Sequence, residues 1–128
     1  MGQSKAFEEG LEVRKAVLGE NYVVKSLANA TEFTRPMQEL STECCWGQIW
    51  TRPGLPRKTR SLLNLAMITA LNRPHELRLH VKAALGNECT REEIREVFLQ
   101  AAIYCGIPAG MDSFRIAQEV FDEVDQGS

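Results

Sequence analysis

The segment Glu43 to Leu55, ECCWGQIWTRPGL, concentrates residue types that can bind a small molecule. Trp46 and Trp50 are spaced i, i+4, so on a helix they would form one aromatic wall. Gly47 lies between them and costs roughly 1 kcal/mol relative to alanine inside a helix, which indicates that a ligand or another helix approaches closely. Core packing would explain the aromatic pair equally well.

Three arginines follow this segment closely, in a turn and at the start of an apolar stretch: Arg52, Arg57 and Arg60. Guanidinium groups recognise carboxylates through two parallel hydrogen bonds. Each arginine alone could be an ordinary surface charge. Three of them beside an aromatic wall make a carboxylate-binding pocket an equally good interpretation.

His80 is the candidate for proton transfer, because histidine exchanges protons near neutral pH. Arg73, Glu76 and His80 are spaced i, i+3 and i+7, so they share one helical face, and Glu76 can reach His80. A neighbouring carboxylate favours the imidazolium and would make His80 a better proton donor. A core histidine with satisfied hydrogen bonds is the alternative.

Tyr104 and the four cysteines are further candidates. We expect Tyr104 on the buried face of its helix, either as a core residue with one hydrogen bond or as a donor aimed into a pocket. No C-x-x-C unit is present, so neither a thioredoxin-type pair nor a zinc site is predicted. We expect reduced thiols that act as small apolar packing residues: Cys44, Cys45, Cys89 and Cys105.

Helical spacing dominates the chain, and no segment shows the period-two alternation of a strand, so we predict a single all-α domain over residues 1–128 with a core of 5–124 and about six helices. The segment around Leu62 is apolar nearly all round and predicts a central helix buried on most sides. Thr90 and Glu93 form a capping box, and Gly19 and Gly106 end helices. The last helix is expected to bury Phe114, Ala117, Phe121 and Val124. The predicted helices cover residues 6–18, 35 to the Pro-rich turn at 51–59, 57–71, 74–85, 91–105 and 109–124, with a looser region at 21–31.

Composition excludes several classes of protein. Hydrophobic residues make up 44% and charged residues 25%, with a net charge of −2 and interleaved signs, so no nucleic-acid partner is expected. The first 30 residues contain no apolar stretch typical of a signal peptide, and no apolar run approaches 18 residues. We therefore predict no membrane association and a cytoplasmic location.

Three stretches together closely resemble the 4-carboxymuconolactone decarboxylase family: CWGQIWTRPGLPRKTRSLLNLAM, ELRLHVKAAL and TREEIREVFLQAAIYCGIPAG. The resemblance implies an alkylhydroperoxidase D-like all-helical fold, cyclic homo-oligomers such as trimers or hexamers, and no cofactor or metal. Gln48 is a departure, because the family usually carries an acidic residue directly after the Trp-Gly pair.

The resemblance also implies an activity, the decarboxylation of 4-carboxymuconolactone to β-ketoadipate enol-lactone in protocatechuate degradation. In that case His80 would donate the proton, polarised by Glu76 or Glu43. Other residues would bind the substrate: Trp46, Trp50, Arg52, Arg60, Arg73 and Tyr104.

Two alternatives to this activity stay open. A thiol-dependent peroxidase of the same fold would need C-x-x-C before the histidine, where this chain has Arg73 and Glu76. A non-catalytic lactone-binding relative is the other.

Overall fold

A computed structural model describes residues 4–127, and these residues contain seven α-helices and one π-helix but no strand. The predicted all-α fold is confirmed. The helices are α1 (Lys5–Leu18), α2 (Glu20–Ala28), α3 (Arg35–Leu40), the π-helix (Ser41–Ile49), α4 (Arg57–Leu71), α5 (Pro74–Gly86), α6 (Arg91–Cys105) and α7 (Ile107–Gly127).

The contacts between residues divide the chain into two compact units, an N-terminal unit (Met1–Pro56) and a C-terminal unit (Arg57–Ser128). The first contains α1 to α3 and the π-helix, and the second contains α4 to α7. Each unit is described by itself below. The single domain expected from the sequence stays a prediction.

The N-terminal unit is built on the contact between α1 and the π-helix. Ser4 caps α1, since its hydroxyl accepts a hydrogen bond from the backbone N–H of Phe7 at 3.0 Å. Gly19 ends α1 with a φ of 98°, a conformation that favours glycine. The buried apolar residues of this unit are Phe7, Val13, Val17, Val23, Trp46 and Trp50.

The C-terminal unit packs α4 against α5 and α6, and α7 against α5 and α6. The predicted capping box is present, because Thr90 and Glu93 each bond the other's backbone N–H. One buried polar contact joins α4 and α7, where the hydroxyls of Thr69 and Ser113 lie 2.8 Å apart. The main core residues are Leu65, Leu77, Val81, Ala84, Ile94, Phe98, Ile116, Ala117 and Val120.

Two predicted buried faces differ from the structure. We expected α4 to be covered on most sides, but Leu63, Met67 and Leu71 are exposed, since α5 and α6 cover only one face. Phe114 and Val124 of α7 stay partly exposed, at 37% and 36%, whereas Ser113, Ile116 and Val120 of that helix are buried. The helices α6 and α7 approach closely, since a Cβ atom at Gly110 would lie 2.4 Å from the Cβ of Ala102.

Within residues 4–127, no helix combines the length and the apolar character that a membrane crossing requires.

Candidate functional site

The first part of the segment ECCWGQIWTRPGL, residues 43–49, lies on a π-helix, which the sequence did not predict. Residues 41–49 follow α3 without a break, and the backbone N–H of Trp50 donates to the carbonyl oxygen of Cys45 at 3.0 Å, an i→i+5 bond. Such helices are rare, and they occur frequently at functional sites. The sequence predicted one continuous α-helix here, because side-chain periodicity does not distinguish the two hydrogen-bond patterns over nine residues.

Trp46 and Trp50 form the predicted aromatic pair. Their ring centroids are 4.9 Å apart and the ring planes are inclined by 32°. Both side chains are buried, so the pair is a fixed part of the packing rather than a mobile surface feature. Their role against a substrate stays a prediction.

Gly47 is required by the contact with α1. A Cβ atom at Gly47 would lie 2.1 Å from the carbonyl oxygen of Ala6, and one at Gly10 would lie 2.1 Å from the carbonyl oxygen of Thr42. The two backbones therefore approach more closely than any other residue type allows. Of the two explanations for Gly47, the approach of another helix is the one that the structure bears out.

Glu43 is anchored to the start of α1. The Ser4 hydroxyl, which caps that helix, donates a hydrogen bond to Oε2 of Glu43. The carboxylate is half-buried. Its position is therefore fixed by the same contact that joins α1 to the π-helix, whereas its catalytic role stays a prediction.

Arg14 is a buried cation of the N-terminal unit that sequence reasoning missed. Its Nη1 donates to the hydroxyl of Thr42 at 3.0 Å, and Nε has no hydrogen-bond partner among residues 4–127. Burial lowers the pKa of Arg14, partly offset by Tyr22 and Cys45. A signal was available in the sequence, because Arg14 lies seven residues after Phe7 and three before Val17, on the apolar face of α1.

The structure places the predicted arginines in both units. Arg52 is exposed in the turn after the π-helix, and Arg60 is half-buried in the first turn of α4. Arg73 is exposed between α4 and α5, where its Nη1 donates to the carbonyl oxygen of Leu71 at 3.2 Å. Arg73 thus stabilises the end of α4, which is a structural role that its spacing from His80 did not indicate.

His80 lies on α5 with Glu76 one turn before it, as predicted. The imidazole is half-buried, and its Nδ1 is covered but has no hydrogen-bond partner among the described residues. Burial lowers the pKa of His80, and the Glu76 carboxylate offsets only part of this effect. The predicted imidazolium is therefore disfavoured in the free protein, because desolvation outweighs the neighbouring charge.

The prediction that Tyr104 is buried is wrong. Its side chain is 82% exposed, and it borders an open groove of about 340 Å³ together with Leu62, Leu63, Val97 and Ala101. The apolar residues of α6 extend beyond the face of the helix that the C-terminal unit covers. Tyr104 lies on the uncovered part.

The cysteines are free thiols in residues 4–127, but they do not all act as packing residues. Cys89 is buried, Cys44 is half-buried, and Cys45 and Cys105 are exposed, so the packing prediction is wrong for the last two. Burial raises the pKa of Cys89 and of Cys45. A raised pKa keeps a thiol protonated and makes it a poor nucleophile.

The predicted site residues thus fall in two sets. Glu43, Trp46, Trp50 and Arg52 belong to the N-terminal unit, together with Arg14; Arg60, Arg73, Glu76, His80 and Tyr104 belong to the C-terminal unit.

Comparison with known proteins identifies the family. The chain is 50% identical over 124 residues to a nitrosuccinic acid decarboxylase of Metarhizium robertsii, covering 96% of this chain and 87% of the relative. It is 41% identical over 124 residues to a 4-carboxymuconolactone decarboxylase of Acinetobacter baylyi, covering 97% of this chain and 92% of the relative. An uncharacterized 15.0 kDa protein of Paracoccus denitrificans is 39% identical over 87 residues, which is 66% of this chain and 64% of the relative.

These two named relatives confirm the predicted enzyme class, a carboxy-lyase. The profile of the carboxymuconolactone decarboxylase family matches residues 35–119, a segment that holds the π-helix, Trp46, Trp50 and His80. The chain therefore belongs to the carboxymuconolactone decarboxylase family.

Proposed function

We propose that this enzyme decarboxylates a small dicarboxylic acid that accepts the electrons of the breaking bond itself, with His80 as the proton donor. The observation that carries the proposal is the state of His80: a half-buried imidazole beside Glu76 whose covered Nδ1 has no partner among residues 4–127. A side chain in that state is able to exchange a proton with a bound molecule.

The substrates named for the two relatives share the chemistry that this proposal needs. Loss of CO2 from the γ-carbon of 4-carboxymuconolactone sends an electron pair through the ring double bond into the lactone carbonyl. Loss of the carboxylate beside the nitro group of nitrosuccinic acid sends the pair into that nitro group as a nitronate. Each substrate carries two carboxylates and its own electron acceptor, so the chemistry of either reaction requires no added cofactor.

The proton balance then assigns His80 its task. The C–C bond breaks, CO2 leaves, and the anion left behind takes a proton from the imidazolium, which returns to neutral imidazole. The proton goes to the α-carbon of the lactone, or to the carbon that bears the nitro group in nitrosuccinic acid. Burial lowers the pKa of His80 and so favours the neutral imidazole in the free enzyme. Two substrate carboxylates nearby would raise the pKa of His80, so substrate binding would favour protonation of the imidazole that donates the proton.

Other residues would hold the substrate. Arg52 and Arg60 would bind carboxylates, and the pair of Trp46 and Trp50 would exclude water from one side. Glu76 would stabilise the imidazolium, and Glu43 is a second carboxylate for that task. These roles remain predictions.

4-Carboxymuconolactone is the first candidate substrate, because the chain is 41% identical to the Acinetobacter baylyi enzyme over 97% of its length; its product would be β-ketoadipate enol-lactone. Nitrosuccinic acid is the second, favoured by the 50% identity to the Metarhizium robertsii enzyme. Gln48 is a departure from the 4-carboxymuconolactone decarboxylase pattern, since an amide stands where the resemblance implies an acidic residue.

Self-association belongs to the same proposal. Exposed apolar side chains of the C-terminal unit form an apolar stripe, which we define as Leu63, Met67 and Leu71 of α4, Leu99, Ile103 and Tyr104 of α6, and Ile107 and Met111 of α7. Large apolar patches usually mark interaction surfaces, and homo-oligomers are the commonest assemblies. We propose that a second copy covers this stripe in a cyclic trimer or hexamer. The cytoplasmic location stays a prediction.

The deciding experiment measures CO2 release by the purified protein with each candidate substrate in turn. We expect release with one of them at a rate far above that of the His80→Gln variant. No release with either substrate would contradict the proposed activity. Peroxide consumption with a dithiol donor would instead support the peroxidase alternative.

A further inference from the structure

Arg14 is the charged side chain among the buried residues of the described part of the chain. It is 6% exposed, whereas the other buried polar residues there are the hydroxyl residues Thr42, Ser61, Thr69 and Ser113. None of the ion pairs within residues 4–127 includes Arg14. Its Nη1 donates a hydrogen bond to the neutral hydroxyl of Thr42, and its Nε has no partner among residues 4–127.

This arrangement is unfavourable without a further partner. A buried charge is normally paired, because removing an ion from water costs several kcal/mol. Arginine cannot avoid the cost by losing its proton. The phenol of Tyr22 and the thiol of Cys45 are the ionisable groups that act on the charge of Arg14. Burial raises the pKa of Cys45 and favours its neutral thiol, so Cys45 does not compensate Arg14.

The surroundings of Arg14 extend to the protein surface. Tyr22 is 38% exposed and Cys45 is also exposed, so the groups that act on Arg14 lie at the surface. Exposed side chains change rotamer within nanoseconds. Thr42 accepts a hydrogen bond from Nη1 of Arg14, whereas Nε has no partner among residues 4–127. The Nε edge of the guanidinium group is therefore the edge that a carboxylate would bind.

We propose that Arg14 is a carboxylate-binding residue of the N-terminal unit, oriented by Thr42, and that it holds one of the two carboxylates of the substrate. The statement that this ligand is the substrate rests on the proposed function. The statement that Arg14 binds a small carboxylate is independent of it, because it follows from the buried charge and its unpartnered Nε. Thr42 and Cys45 belong to the π-helix that carries Glu43 and Trp46, so an anion on Arg14 would lie against the same element.

Tryptophan fluorescence gives a direct test, because both tryptophans of the chain, Trp46 and Trp50, lie in the N-terminal unit. The probe is succinate, a four-carbon dicarboxylate, titrated at constant ionic strength against sodium chloride. We expect a saturable change for the unmodified protein. Arg14→Met should weaken succinate binding by about 10- to 100-fold, the effect of losing hydrogen bonds to a charged group.

Arg35→Met is the matched control, since Arg35 is an exposed arginine of the same unit at the start of α3. It should bind succinate as the unmodified protein does. No saturable response in the unmodified protein, or equal affinity in Arg14→Met, would overturn the proposal. An equal loss in Arg35→Met would also overturn it, because binding would then reflect net charge alone.

Thermal unfolding separates a binding role from a structural one. Without anion, Arg14→Met should unfold at the same or a higher temperature, because an uncompensated buried charge is removed. A lower midpoint together with retained succinate binding would identify a structural cation and overturn the proposal. If Arg14→Met does not fold, Arg14→Lys is used instead, because lysine keeps the charge but cannot form the paired hydrogen bonds of a guanidinium group. The succinate titration of this variant is then judged by the same criteria.

Turnover distinguishes this proposal from the proposed function. If the unmodified protein releases CO2 and the KM of Arg14→Met is unchanged, the decarboxylase activity stands and the role of Arg14 is wrong. If succinate binding depends on Arg14 but neither candidate substrate is turned over, the carboxylate site stands and the proposed function is wrong.

Discussion

At the residue scale, His80 and Arg14 differ from the basic side chains that form surface ion pairs within residues 4–127. Arg78, Arg91 and Arg115 form ion pairs on the surface of the C-terminal unit. His80 and Arg14 are instead shielded from water and carry a nitrogen without a partner among residues 4–127. Desolvation dominates both sites and opposes the charged form. Groups in this state respond strongly to an incoming anion.

Replacing His80 by glutamine should remove most of the activity. The amide keeps a similar volume and a polar atom, but it cannot deliver a proton, and a positioned acid is worth about 10²- to 10⁴-fold in rate. CO2 release under saturating substrate measures the effect. His75→Gln is the control, because His75 is the other histidine of the chain and is exposed on the same helix. Equal turnover of the two variants would remove His80 from the mechanism.

The pH dependence of stability should also depend on His80. Its pKa is lower in the folded than in the unfolded protein, so between the two values the unfolded chain binds more protons. The contribution of His80 is therefore fully present above about pH 6.5 and is lost as the pH falls further. We expect thermal midpoints below that pH to decrease more steeply for the unmodified protein than for His80→Gln. Parallel curves would contradict the burial effect.

At the element scale, the contact between α1 and the π-helix organises the N-terminal unit. Gly10 and Gly47 allow backbone contact, Ser4 joins Glu43 to the cap of α1, and Thr42 meets Arg14. A π-helix is not an intrinsically favoured structure. We infer that these contacts with α1 maintain it, and that any change separating the two helices would displace Glu43 and the tryptophans together.

Gly47→Ala should therefore destabilise the protein, although alanine favours helices. The added methyl group would meet the carbonyl oxygen of Ala6, which is backbone and cannot rotate away. Overpacking of this kind costs about 1–3 kcal/mol, against a gain of about 1 kcal/mol in helix propensity, so we expect a net loss of up to about 2 kcal/mol. Urea unfolding followed by tryptophan fluorescence measures this free energy.

Gly86→Ala is the matched control for this measurement. Gly86 ends α5, and a Cβ atom there would meet no atom within 4 Å. Its free energy of unfolding should be unchanged or slightly higher. If Gly47→Ala were as stable as Gly86→Ala, the close helix contact would not be a constraint on the fold.

At the scale of the whole molecule, the apolar stripe of the C-terminal unit is the feature that bears on self-association. Ile103 is 75% exposed and makes part of a surface that crosses three helices. Scattered apolar residues are normal on a protein surface, but residues recurring at i, i+4 on adjacent helices form a continuous face. That face explains why α4 is apolar nearly all round while one side of it is uncovered.

Ile103→Lys should disrupt self-association without unfolding the chain. A lysine on an exposed position costs little in the isolated subunit, whereas a buried ammonium at an interface is strongly unfavourable. Sedimentation analysis should show a trimer or hexamer for the unmodified protein and smaller species for the variant. Val24→Lys, an exposed position on α2 outside the stripe, is the control. A monomeric unmodified protein would contradict the proposed role of the stripe.

Much of the fold was predictable because helix limits depend on nearby residues. The capping box of Thr90 and Glu93 and the glycine stops at Gly19 and Gly106 all appear at the predicted places. The chemical candidates could also be named from type and spacing, as Glu76 beside His80 shows. The unpredicted elements were the π-helix and the rotation of the buried face of α7, which both depend on contacts with other helices.

The amino-acid sequence by itself determined that this protein is all-α, where most helices begin and end, and which family it belongs to, because these properties follow from local capping, periodicity and motif residues. Only the tertiary structure decided that burial lowers the pKa of His80, that Arg14 is a buried cation outside the ion pairs of residues 4–127 and that Tyr104 faces outward. Desolvation and packing depend on residues distant in the chain, and spacing along one helix carries no information about them.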